Sequence, residues 1–147
     1  SVDLYAEAEE AEENLRTAAE EKGVKLSLTG EGAEISGVRR LVYEIIYNLC
    51  DNAIKYNRPG GSVEVSVTQS ESEAAVTVAD TGIGIAPEDQ ARVFERFYRA
   101  DKSRSKESGG TGLGLSIVKH AVQYHHGSID LRSTPGGGTT IKVMFPK

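Results

Sequence analysis

Between residues 38 and 56, Val38, Leu41, Val42, Ile45, Ile46, Leu49 and Ala53 recur at the spacing of one helix face. A helix this apolar needs a partner to bury it, and the rest of the chain supplies strands. Residues 63–67 and 75–79 alternate side chains with the period of a half-buried strand and flank a turn at 70–72, which predicts a hairpin. Residues 24–28 and 33–35 read as two further strands. Residues 129–132 and 140–145 read as closing strands around a turn at 135–138. The Ala- and Glu-rich stretch 3–22 predicts a helix that stops before Gly23. Residues 87–97 read as a short helix with Pro87 in its first turn, and residues 113–124 as a longer one. The expectation is an α+β fold: a two-layer α/β sandwich with a mixed sheet and about three main helices on one face. Residues 99–111 have few apolar side chains and no period, and read as a mobile loop.

A chain of 147 residues suits one domain with a real core. The net charge of −5, from 17 basic and 22 acidic residues, argues against bulk nucleic-acid binding. The charge is uneven. Residues 3–21 carry acids against Arg16 alone, whereas residues 96–106 carry Arg96, Arg99, Lys102, Arg104 and Lys106 against Asp101 alone. A basic segment in an acidic chain points to a local anionic partner. Cys50 is the single cysteine, so no internal disulfide can form, and its helical setting reads as a small core residue. No apolar stretch is long enough to span a bilayer and no signal peptide opens the sequence, so a soluble domain is expected.

Three constellations carry chemistry. On the long helix Glu44, Asn48, Asn52 and Tyr56 recur every four residues and share a face. Asn is a poor helix former, so a pair one turn apart reads either as a solvated polar face or as ligands, since an amide oxygen can hold a hard cation such as Mg²⁺. Second, a β-rich run ends in Asp80, followed by Gly82 and Gly84. This is either a simple turn or an acid placed to accept a hydrogen bond from the amine of adenine, with glycines that let a ligand approach. Third, residues 109–116 (GGTGLGLS) open a helix straight after the basic segment. Free N–H groups at such a helix start suit phosphate, although a flexible hinge would have the same composition. The pattern is neither a dinucleotide fingerprint nor a Walker loop, because no Gly-Lys-Ser/Thr occurs.

Taken in order, these segments resemble the sensor histidine kinases. Residues 49–56 (LCDNAIKY) resemble their asparagine box, 80–85 (DTGIGI) the first glycine box, and 93–99 (VFERFYR) the phenylalanine box. Residues 110–116 (GTGLGLS) resemble the second glycine box, and 135–139 (PGGGT) the last glycine turn. The resemblance implies the Bergerat nucleotide-binding fold shared with gyrase, heat-shock chaperone and mismatch-repair ATPases. It also implies ATP and Mg²⁺ as cofactors. Asn52 would coordinate Mg²⁺ with Asn48 in support. Lys55 would reach phosphate, and Tyr56 would pack near adenine. Asp80 would accept from the adenine amine, with Gly82 and Gly84 allowing the base close and Thr139 helping to hold a water beside the acid. Residues 96–111 would be a mobile ATP lid, with Tyr98 and Arg99 near the phosphates. Gly110, Thr111, Gly112, Leu113 and Gly114 would wrap the phosphate tail. Asn48 and Arg99 are the candidates for catalytic roles.

One position separates relatives. Those that hydrolyse ATP carry a general-base Glu four residues before the magnesium Asn, whereas this chain has Asn48 there, which cannot take a proton; Glu44 lies a further turn away. That disfavours an ATPase or an anti-sigma serine kinase and favours a histidine protein kinase whose acceptor is supplied by another domain. A binding-only scaffold is the other rival. No phosphoacceptor box occurs, and His120, His125 and His126 lie in or just after the helix that follows the lid. There, partly protonated imidazoles at its C-terminus would suit the helix dipole. The implied function is therefore ATP-dependent transfer of a γ-phosphoryl group to a histidine of a separate dimerisation domain, in two-component signalling through a response regulator. By itself the domain is expected to be monomeric, to bind ATP and not to autophosphorylate. The parent is expected to be a bacterial homodimer in the inner membrane, with this domain in the cytoplasm.

Overall fold

A computed structural model describes residues 1–90, 92–95 and 114–147. The chain runs β1 (Val2–Asp3), α1 (Leu4–Lys22), β2 (Lys25–Gly30), β3 (Glu34–Ile35), α2 (Arg39–Lys55), β4 (Ser62–Gln69), β5 (Glu73–Asp80), α3 (Pro87–Gln90), α4 (Gly114–Tyr124), β6 (Ser128–Thr134) and β7 (Gly138–Pro146). The main sheet has the order β2-β4-β5-β7-β6, parallel between β2 and β4 and antiparallel elsewhere. It is the expected mixed sheet, and α1, α2 and α4 provide the helical layer. The pairing of β1 with β3 as a separate two-stranded ribbon was not anticipated, because two residues carry no period.

Local chemistry sets the boundaries. Asp3 caps α1: its carboxylate accepts from Tyr5 N–H at 3.0 Å and from Ala33 N–H at 3.1 Å. Gly23, at φ 77°, closes the helix with its N–H returned to the last turn, as a left-handed residue does. Along α1 the buried Leu4, Ala8, Ala11, Leu15 and Ala19 form one stripe, which lies on α2 and β2. From the sheet, Val63, Val65, Val67, Val76, Val78, Ile141, Val143 and Phe145 project into the same core at alternate positions. They meet Ile45, Ile46 and Leu49 of α2 and Val118 of α4. Burying each large aliphatic side chain contributes about 2 kcal/mol.

The start of α2 is fixed from outside. Val38 lacks a side-chain cap of its own, and its N–H donates to His125 Nε2 at 3.1 Å. The other ring nitrogen, Nδ1, lies 2.8 Å from the Ala121 carbonyl. With Nε2 accepting an amide proton, Nδ1 must carry the ring proton, so His125 is held as one neutral tautomer. His125 is buried at the end of α4 and set edge-on to Phe145. His126, exposed at φ 57°, ends the helix. The predicted helix over 87–97 is also shorter than expected. It covers Pro87–Gln90, after which Arg92 N–H donates to Asp89 O and Glu95 N–H to Arg92 O, the three-residue spacing of turns. Residues 91, 96 and 97, and the expected lid, lie outside the described residues.

Candidate functional site

Asp80 closes β5, and its strand neighbours define where it points. Its partner on β4 is Val63 and its partner on β7 is Thr139. The half-buried carboxylate receives two backbone donors on the same oxygen: Gly82 N–H reaches Oδ1 at 2.8 Å and Thr139 N–H reaches it at 3.2 Å. Oδ2 receives no hydrogen bond among the described residues. Burial pushes the pKa of Asp80 up, and the two N–H groups pull it partly back. The result is an acceptor with one oxygen fixed and the other open among the described residues.

The turn after Asp80 is held on both sides. Ile83 N–H donates to Tyr56 O at 3.1 Å, and Gly136 N–H donates to Ile83 O at 2.7 Å. A Cβ on Gly82 would fall 2.5 Å from Tyr56 O, and one on Gly84, at φ 75°, would run into Thr134 O. The glycines are therefore required by the protein's own carbonyls, apart from any ligand. Ser133 links the far side: its hydroxyl donates to Gly138 O, accepts from Ile85 N–H at 2.7 Å and lies 2.8 Å from Thr139 Oγ1. Thr139 thus meets Asp80 through its amide, while its hydroxyl is engaged by Ser133. Gln90 Nε2 ties this side to α3 through Ile85 O and Ser133 O.

The C-terminal end of α2 meets this turn through the Tyr56 carbonyl. Asn52 is half-buried and makes no side-chain hydrogen bond among the described residues. Asn48 Nδ2 donates back to Glu44 O at 2.7 Å, and its Oδ1 lies 3.4 Å from where a Cβ on Gly114 would sit. Gly114, the first residue of α4, therefore lies close to Asn48. Lys55 Nζ is paired with Asp51 Oδ2 at 3.0 Å. Tyr56 ends α2, and its carbonyl serves the Asp80 turn. Of the remaining candidates, Tyr98, Arg99, Gly110, Thr111, Gly112 and Leu113 lie outside the described residues.

Sequence reasoning missed Asn57 and Arg58. Asn57 is completely buried: Nδ2 donates to Ser62 O at 3.0 Å and Oδ1 accepts from Arg58 N–H at 2.9 Å. Arg58 Nη2 donates to Gly82 O at 3.0 Å and to Gly136 O at 3.1 Å. The only hint was a polar pair between a helix end and Pro59-Gly60-Gly61, and that reads as ordinary loop. A separate groove of about 660 Å³, lined in part by Asp3, Glu34, Gln69 and Lys147, lies towards the opposite ends of β4 and β5 and contains none of these residues.

No cluster of three or more His, Cys, Asp or Glu suited to a metal ion occurs among the described residues. Among the described residues the Asn52 amide oxygen has no hydrogen-bond partner. Such a neutral oxygen suits Mg²⁺ that arrives largely ligated by phosphate and water.

Comparison with known proteins agrees with this geometry. Residues 37–147 match the family described as histidine kinase-, DNA gyrase B-, and HSP90-like ATPase. The sensor-like histidine kinase SenX3 of Mycolicibacterium smegmatis is 41% identical over all of this chain and 38% of its own length. The sensor histidine kinase RppB of Synechocystis is 45% identical over 71% of this chain and 23% of its own length. The chain therefore spans well under half of these curated relatives. The mycobacterial sensor histidine kinase MprB superposes with a TM-score of 0.86 at 29% identity, covering 99% of this chain and 96% of that one. Full-length ShkA in complex with AMPPNP superposes with a TM-score of 0.82 at 26% identity, over 99% of this chain and 30% of that one. The catalytic domain of histidine kinase ThkA shares the fold at 19% identity, with a TM-score of 0.82 over 99% of this chain and 94% of that one. With its mixed sheet and helical layer and these matches, the chain belongs to the histidine kinase-, gyrase B- and HSP90-like ATPase family, in the company of sensor histidine kinases.

Proposed function

We propose that the domain binds Mg·ATP with the adenine amine on Asp80 and the phosphates towards α2 and the start of α4, and that it delivers the γ-phosphoryl group to a histidine of a separate dimerisation domain. The observation that carries this is the carboxylate of Asp80: one oxygen is fixed by Gly82 and Thr139, and the other is open. An acceptor oriented before the ligand arrives discriminates an amine from a carbonyl, because guanine would leave it facing another acceptor. Asn52, without a side-chain hydrogen bond among the described residues, is the ligand for the cation, with Asn48 in support; Mg²⁺ supplies charge neutralisation on the phosphates when bound. Tyr56 packs beside the base and Lys55 serves phosphate from its pair with Asp51. Tyr98, Arg99 and the 110–114 segment serve the phosphates as the sequence implies.

Asn48 occupies the place of a general base and has no basic group, so water is not activated there. The acceptor histidine supplies the nucleophile. No helix among the described residues is long and apolar enough to cross a membrane. Membrane anchoring, dimerisation and the response regulator belong to the parent protein in this reading, with this domain on the cytoplasmic side.

Calorimetric titration of ATP, ADP and GTP, with and without Mg²⁺, tests the pocket. Adenine-selective binding that strengthens with Mg²⁺ is expected; equal affinity for ATP and GTP sinks the role of Asp80. Mixing the domain with its cognate dimerisation domain and labelled ATP tests the transfer. Phosphohistidine is expected on the dimerisation domain, whereas stable phosphohistidine on the 147-residue chain alone would overturn the reading.

A further inference from the structure

Arg58 is exposed, follows the asparagine box and forms no ion pair among the described residues. Its guanidinium nevertheless has a defined position. A single nitrogen, Nη2, donates to Gly82 O at 3.0 Å and to Gly136 O at 3.1 Å. Those carbonyls belong to two different turns. The first turn carries Gly82, whose N–H holds Asp80 Oδ1 at 2.8 Å. The second runs from Gly136 into Thr139, whose N–H holds the same oxygen at 3.2 Å. One donor that orients the carboxylate therefore sits on the turn after β5 and the other at the start of β7, and Arg58 bridges that turn to the turn that leads into β7. Beside the bridge, Gly136 N–H donates to Ile83 O at 2.7 Å, and the pairing of Asp80 with Thr139 joins the same two segments at the sheet.

The base of Arg58 is equally well fixed. Asn57 Oδ1 accepts the Arg58 N–H, and Asn57 Nδ2 reaches Ser62 O at the start of β4. The Arg58 backbone is thereby anchored to the strand next to β5, and its side chain reaches over the turn. A hydrogen bond from a charged donor to a neutral carbonyl is stronger than a neutral pair, and two from one nitrogen set a distance between their acceptors.

We propose that Arg58 is a positioning residue for nucleotide selection: it sets the spacing of the Gly82 and Thr139 donors, and so the direction of the Asp80 oxygen that reads the adenine amine. This rests on the assignment of Asp80 as base reader. Arg58 touches the carbonyls of the turns and leaves the ligand to Asp80.

The test compares ATP with purine riboside triphosphate, which lacks the 6-amino group, by calorimetric titration into the 147-residue chain. Wild-type protein should prefer ATP. Arg58→Ala should weaken ATP about tenfold while weakening the deaminated analogue by less than about threefold, since the loss falls on the amine contact. Arg58→Lys, with three donors on one nitrogen, should recover most of the preference. In an Asp80→Asn background Arg58→Ala should have little further effect on ATP. Equal weakening of both nucleotides by Arg58→Ala, or an unchanged preference for ATP, overturns the role of Arg58 and leaves the pocket intact. Wild-type protein that holds both nucleotides equally overturns the pocket assignment and, with it, this proposal.

Discussion

Two carboxylates in this domain are withdrawn from water, and their surroundings are opposites. Burial pushes up the pKa of both Asp80 and Glu7. At the floor of the site, Asp80 is met by two backbone N–H groups that recover part of that cost. In the seam between α1 and α2, Glu7 is only 6% exposed, with Oε1 buried and without a partner, and its nearest cation is Arg39 at 3.8 Å. Glu10 and Asp3 add repulsion, and Arg39 relieves some of it. Burial alone therefore does not mark a site. What separates the two is a set of fixed donors that leaves one oxygen of Asp80 oriented and open.

The sharpest test of that contrast is Asp80→Asn. It should cut ATP affinity about 100-fold, because an ionised acceptor facing an amine is replaced by a group that is partly a donor. The melting temperature should stay level or rise, since a charge held out of water is removed and Asn keeps an oxygen for Gly82 and Thr139. A parallel fall in melting temperature and affinity would put Asp80 among ordinary structural residues.

Next in size, Asn52→Ala should weaken ATP about tenfold in the presence of Mg²⁺ and leave binding in EDTA unchanged. Asn52 makes no internal hydrogen bond among the described residues, so stability should move by no more than about 0.5 kcal/mol. A comparable loss of ATP affinity without the cation would remove Asn52 from the metal role.

At the other pole, Glu7→Met should stabilise the domain by about 1–2 kcal/mol at neutral pH in urea denaturation, with ATP affinity unaltered. The pH dependence gives a smaller and more particular effect. A carboxyl whose folded pKa is raised binds its proton more tightly when folded. Stability from Glu7 is thus greatest below its unfolded value of 4.5 and falls as pH rises through the folded value. The advantage of Glu7→Met should therefore shrink as the pH is lowered towards about 4. An advantage that is constant with pH would mean that Glu7 is compensated in the folded state, and the contrast with Asp80 would collapse.

Much of this was readable in advance because its signals are local. The stripe on α2 and the alternation in β4 and β5 predicted the helix and hairpin that the structure has. What escaped was non-local. Val38 is capped by a histidine 87 residues away, and Arg58 bridges carbonyls 24 and 78 residues distant. Backbone acceptors have no residue code, so no pattern of side chains announces them. Glu7 was likewise hidden: among the acids of residues 3–21 nothing distinguishes the one that faces inward. The short α3 differed for another reason: Pro87 marked its start, while the backbone beyond it turned at Asp89 and Arg92 with tighter bonds.

The parallel pairing of β2 with β4 bears on how the domain fails as well as how it stands. Parallel neighbours cannot be joined by a tight turn, and here the return path from β2 to β4 is α2 itself. The helix that carries the asparagines is therefore also the strap holding an edge strand in place. Loosening α2 frees β2 and bares the backbone edge of β4, whose Val63, Val65 and Val67 are otherwise fully covered. An unpaired edge of that kind is a template for another chain. Damage to α2 is thus set to cost solubility as well as the candidate site, and aggregation on heating should follow the loss of that helix more closely than the loss of any loop.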